Sequence, residues 1–210
     1  MLDGVMRRLV SPPLERAGAA LAARGVGADQ VTLAGLAAAL AMGAAVATGH
    51  FALALACLVL SRIADGLDGA VARHSRLSDF GGILDIVCDF AFYAAVPVGF
   101  ALVDGAACAV PAAVLLASFY LNAASFLGFA AVAAKRGMQT TIRGPKSLYF
   151  TTGLAEGTET IAVFVAMLIW PRAFAPLAYG FAALCLVTCL ARVALARKVF
   201  ATGPDSQKPD

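Results

Sequence analysis

Six apolar stretches, each about 20 residues long, follow one another through almost the whole chain, at roughly 30–48, 52–73, 80–103, 107–134, 145–169 and 173–196. About 20 apolar residues in a helix cross a hydrocarbon core of about 30 Å. Only helices or closed barrels satisfy their backbone polar groups at that depth. The expected fold is therefore an all-α integral membrane protein with six transmembrane helices. A composition of 61% hydrophobic and 14% charged residues, with a mean hydropathy of +0.84, leaves too little polar surface for a soluble domain.

The N-terminal segment carries Arg7, Arg8, Glu15, Arg16 and Arg24 among its apolar residues, which argues against a cleavable signal peptide. Residues 1–25 are predicted to form an amphipathic interfacial helix interrupted at Pro12-Pro13. Residues 26–200 form the six-helix transmembrane domain, and 201–210 form a disordered tail. The basic residues fix an orientation. Arg73 and Arg76, then Lys135, Arg136, Arg143 and Lys146, then Arg197 and Lys198 lie on the same side as the N-terminal arginines. The alternate turns hold only His50, Asp104 and Arg172. Both termini are thus expected on the cytoplasmic side of what is most simply a bacterial inner membrane. The net charge of +3 suits contact with anionic lipid. No basic run with interleaved aromatics points to nucleic acid. The five cysteines are odd in number and scattered, as small packing residues are.

The second and third stretches carry acids. Asp65, Asp68, Gly69 and Ala72 are spaced i, i+3, i+4 and i+7, one stripe of a helix with little side-chain bulk. Gly81, Asp85 and Asp89 form a second stripe at i, i+4 and i+8. The turn from His74 to Ser78 is too short to let the helices part, so the stripes should face each other and bring four carboxylates together. A carboxylate at membrane depth costs roughly 2.5–3.5 kcal/mol on insertion scales, so four at one level call for bound cations. Oxygen-only ligands suit Mg²⁺, Mn²⁺ or Ca²⁺ rather than zinc. Two such ions, about 3.5–4 Å apart, would make a clamp for phosphoryl transfer. Gly69 and Gly81 would leave room for a substrate, and Arg73 could hold a phosphate through its planar fork.

The pattern D-x-x-D-G-x-x-A-R followed by G-x-x-x-D-x-x-x-D resembles the signature of the CDP-alcohol phosphatidyltransferase family. It is carried here by Asp65, Asp68, Gly69, Ala72, Arg73, Gly81, Asp85 and Asp89. The resemblance implies that Asp65, Asp68, Asp85 and Asp89 hold two divalent cations, Mg²⁺ or Mn²⁺, and that Asp89 is also the catalytic base. It implies that Gly69, Ala72, Arg73 and Gly81 line a CDP site. The reaction implied is transfer of a phosphatidyl group from a CDP-linked lipid, such as CDP-diacylglycerol, to a small alcohol acceptor, releasing CMP. A homodimer among membrane lipids, with no nucleic-acid partner, follows from the same resemblance. The rival from another class is a transporter or cation channel that uses the acids as an ion site, which leaves Gly69 and Arg73 without a role.

Lys146 and Arg143 are the candidates for seating the acceptor, against the plainer reading of headgroup anchors. Glu156 and Glu159 fall deep in the fifth stretch and need partners. Arg62, at a similar depth, is the expected one, with acceptor selection as the alternative role of the glutamates.

Overall fold

The computed structural model describes residues 3–138 and 157–201. Within them the chain is helical throughout: α1 (Asp3–Ala23), α2 (Ala28–Ala47), α3 (Phe51–His74), α4 (Asp79–Val103), α5 (Gly105–Lys135), α6 (Gly157–Ile169), a 3-10 turn (Pro171–Ala173) and α7 (Phe174–Phe200). Among the described residues four helices are long and apolar enough to cross a membrane: α2, α4, α5, and α7 with its preceding turn. Helix α3 has the length, but Arg62, Asp65, Asp68 and Arg73 interrupt its apolar run. Of the fifth stretch, the described residues hold only the 13 of α6. The expected tail beyond 201 lies outside the described residues.

Helix ends are set by local chemistry. Gln30 Oε1 accepts from the Gly27 amide at 3.0 Å to open α2, and Ser78 Oγ accepts from the Gly81 amide at 2.9 Å to open α4. At the far end of α2, Gly49 takes φ +75° so that the His50 amide reaches the Ala45 carbonyl at 2.8 Å, a turn that a side chain at that position would strain. The expected interruption at Pro12-Pro13 is not seen, since α1 runs through both prolines. Its second half is seated on α3, where a Cβ at Gly18 would lie 2.6 Å from the Ala70 Cβ, and one at Gly66 would lie 2.8 Å from Leu14 Cδ1. That packing offsets the two hydrogen bonds that the prolines cannot make.

Small residues bring α2, α3 and α4 together. A Cβ at Gly35 would lie 3.1 Å from the Ala64 Cβ, and one at Gly99 would lie 2.7 Å from both the Gly43 carbonyl oxygen and the Val46 Cβ. Where lipid removes the hydrophobic force between helices, such close backbone approach is what holds them. An adjacent stripe of α4 packs through rings. Phe100 stacks on Phe174 at a centroid distance of 4.1 Å, and Phe92 meets Phe164 of α6 at 5.9 Å. All four rings are essentially buried.

Candidate functional site

The acid stripes of α3 and α4 converge on a cavity that α2 also lines, through Thr32, Gly35 and Leu36. One carboxylate oxygen from each of Asp65, Asp85 and Asp89 lies within 4.8 Å of the others. They line a cavity of about 10 Å³, room for about one water-sized sphere. Asp68 borders the same cavity but is turned toward α2, where Thr32 Oγ1 donates to its Oδ2 at 2.7 Å. Asp68 is 7% exposed, so the hydroxyl supplies a contact that water would otherwise provide. Three of the four expected acids thus converge, and the fourth stands in the wall beside them.

Arg62 stands over the cluster. Its Nη1 lies 3.1 Å from Asp89 Oδ1 and 3.4 Å from Asp65 Oδ1, with its guanidinium 3.6 Å above the Phe92 ring. The expected pairing of Arg62 with Glu156 or Glu159 is not seen among the described residues, where Arg62 pairs instead with Asp65, three residues on along its own helix, and with Asp89. Glu159 Oε2 and Arg62 Nε are both buried without a hydrogen-bond partner. Glu156, Arg143 and Lys146 lie outside the described residues. Arg62 supplies one positive charge against three nearby carboxylates. Two unit charges at about 4 Å repel by about 4 kcal/mol at an effective dielectric constant of 20. Hard oxygen donors at this spacing around an ion-sized cavity fit a divalent cation.

A second cavity of about 190 Å³ adjoins the first and shares Thr32, Asp68 and Asp85 with it. Its walls include Gly69, Ala72 and Gly81, the three small motif positions. Side chains at those glycines would intrude: a Cβ at Gly81 would lie 3.1 Å from Asp29 Oδ1, and one at Gly69 would lie 3.3 Å from Arg73 Nη1. Arg76 lines this cavity and Arg73 does not. The Arg73 guanidinium reaches instead to α1, where its Nε donates to Glu15 Oε1 at 2.9 Å. That hydrogen bond, chiefly, holds the Glu15 carboxyl below the usual carboxylate range.

Sequence reasoning did not single out Thr32, Asp29 and Arg76 at this site, nor Arg62 as a partner of the acids. Thr32 and Asp29 stand on α2, more than 30 positions before Asp68 in sequence, and carry no periodic signal that links them to it. Arg62 was legible, since it precedes Asp65 by three residues on the same helix.

The family model for CDP-alcohol phosphatidyltransferase matches residues 26–191. The inner membrane protein YnjF of Escherichia coli (strain K12) is 42% identical over 193 residues, which cover 92% of this chain and 94% of YnjF. No solved structure matches. With its apolar helices, its converging acid stripes and a family match over most of its length, this chain is an integral membrane protein that belongs to the CDP-alcohol phosphatidyltransferase family.

Proposed function

We propose that this protein transfers a phosphatidyl group from a CDP-linked lipid, such as CDP-diacylglycerol, to the hydroxyl of a small alcohol, releasing CMP. The observation that carries the reading is the juxtaposition of the two cavities. Asp65, Asp85 and Asp89 present carboxylate oxygens within 4.8 Å of one another, and Asp68 and Asp85 form the common wall with a cavity floored by glycine. Such an arrangement suits a pyrophosphate whose charged oxygens meet the acid cluster through cations while the nucleotide lies against the small residues.

Asp65, Asp68, Asp85 and Asp89 would hold two divalent cations, Mg²⁺ or Mn²⁺. Bound there, the cations would neutralise the phosphate oxygens and favour ionisation of the attacking hydroxyl. Asp89 would accept the proton from that hydroxyl as its oxygen bonds to the lipid-side phosphorus. The phosphorus–oxygen bond to CMP breaks, and its electron pair leaves with CMP. Gly69, Ala72 and Gly81 admit the nucleotide by having no bulk. Lys146 and Arg143 are the candidates to receive the acceptor. The working form is a six-span homodimer in a bacterial inner membrane, with the acids at the cytoplasmic face, consistent with the distribution of basic residues.

The test is purified protein with CDP-diacylglycerol, Mg²⁺ or Mn²⁺ and a panel of hydroxyl acceptors, reading CMP and the lipid product. Acceptor-dependent CMP release that is abolished by EDTA and restored by the cation is expected. Ion flux in liposomes without CMP release under any acceptor would overturn the reading in favour of a transporter.

A further inference from the structure

We propose that Glu15 on α1 is a positioning residue for Arg73, so that the surface helix completes the nucleotide end of the site. The inference rests on the activity proposed above. Arg73 directly follows Ala72, the last residue of the first acid stripe, yet its side chain reaches to α1 and is not among the walls of the cavity that the stripe borders. Its Nε and Nη2 both donate to the same oxygen, Glu15 Oε1, while Glu15 Oε2 lies 3.2 Å from His74 Nε2. Both carboxylate oxygens are thereby engaged by the last turn of α3. One edge of the guanidinium is committed to Glu15. The other nitrogen, Nη1, lies 3.3 Å from where a Gly69 Cβ would stand, and Gly69 is part of the cavity wall.

The contact is fixed by how α1 docks. Gly66, Ala70 and Arg73 occupy i, i+4 and i+7 on α3, a stripe beside the one that bears the acids. Leu14 lies against Gly66 and Gly18 against Ala70, so the intervening Glu15 is delivered to Arg73 by backbone packing rather than by charge attraction at a distance. The side chains of Arg73 and Glu15 are 43% and 38% exposed, and a pair so open to water adds little to folding. Orientation is the larger consequence. An arginine has a long stem with much rotamer freedom, and a carboxylate that holds one edge of its fork removes part of the ordering cost before a phosphate arrives.

The test is a double-mutant cycle in the full-length protein, with Glu15→Gln, Arg73→Ala and the double variant. It reads KM for CDP-diacylglycerol, kcat, and the affinity for CDP by calorimetry without turnover. Losing one pre-ordered side chain predicts a rise of about two- to tenfold in both KM and the CDP dissociation constant, with kcat changed less. In the Arg73→Ala background, Glu15→Gln should add nothing. Glu15→Asp keeps the charge one methylene shorter, should recover part of the affinity, and serves as the second variant if Glu15→Gln does not fold.

An unchanged KM, a lowered KM, or additive losses in the double variant would overturn the inference. A lowered KM would mean that Glu15 competes with phosphate for Arg73. Additive losses would mean that Glu15 merely holds α1 in place. A wild-type protein that neither binds CDP nor releases CMP would instead overturn the proposed function itself.

Discussion

Two adjacent stripes of α4 are built from different materials. Toward α2 it presents Ala95 and Gly99, and at Gly99 the gap is so narrow that a Cβ would lie 2.7 Å from the Gly43 carbonyl oxygen. Toward α6 and α7 it presents Phe92 and Phe100, which meet Phe164 and Phe174 ring to ring. The small-residue seam fixes the distance between backbones, and therefore whether acids on α3 and α4 converge. The aromatic stripe fills volume between helices that stand further apart. Phe92 joins the two regions, because the guanidinium that serves Asp65 and Asp89 lies over its ring.

If the seam exists to assemble the acids, the largest effect belongs to the acid proposed as base. Asp89→Asn should lower kcat by roughly 10²–10⁴-fold while CDP affinity falls far less. Equal losses in both, measured by turnover and calorimetry, would make Asp89 only a ligand. On the aromatic side, Phe174→Ala should cost roughly 3–5 kcal/mol of stability, read as a lower melting temperature in detergent. CMP release per folded molecule should stay close to wild type. Loss of turnover without loss of stability would erase the distinction between the two stripes.

The seam itself should behave in the reverse way. Gly99→Val overfills a closed contact at a cost of about 1–3 kcal/mol. By displacing the acids through about 1 Å, it should also lower turnover by about 10²-fold. Gly180→Ala, with nothing within 4 Å of the added carbon, is the control and should leave both readings unchanged. A smaller effect is expected at the α2–α3 contact. Thr32→Val removes the donor to Asp68, and hydrogen bonds to charged groups contribute about 1.5–3 kcal/mol. A weaker affinity for Mg²⁺ or Mn²⁺, by titration, should accompany the loss.

The smallest effect concerns α1. Because Arg73 holds the folded-state pKa of Glu15 below its ordinary 4.5, the unfolded chain binds the proton more readily. Stability from this contact is therefore complete above that value and is lost as pH falls through the lowered one. Acid titration of α1 docking, followed by an environment-sensitive label on α1, should show release only at the acid end. High salt should weaken the contact further.

The acid stripes were legible because helical periodicity acts within one element: Asp65, Asp68, Gly69 and Ala72 had to share a face of any helix that contained them. The partners of those acids were less so. Asp68 meets Thr32 across 36 positions of sequence, and Arg73 meets Glu15 across 58. No local period encodes such pairs. The proline pair of α1 illustrates the same limit, since local propensity argues for a break and the α3 surface supplies the compensation.

By itself the sequence determined that this chain enters a membrane as helices, and which residues of α3 and of α4 share a face of their own helix. These follow from hydropathy and helical geometry, both of which act over a few residues. Only the tertiary structure decided that Asp68 turns aside to Thr32, that Arg62 serves Asp65 and Asp89, and that α1 takes hold of Arg73. Each of these depends on which small residues let two helices come close enough for their side chains to meet. That closeness is a property of pairs of surfaces, and no single segment carries it.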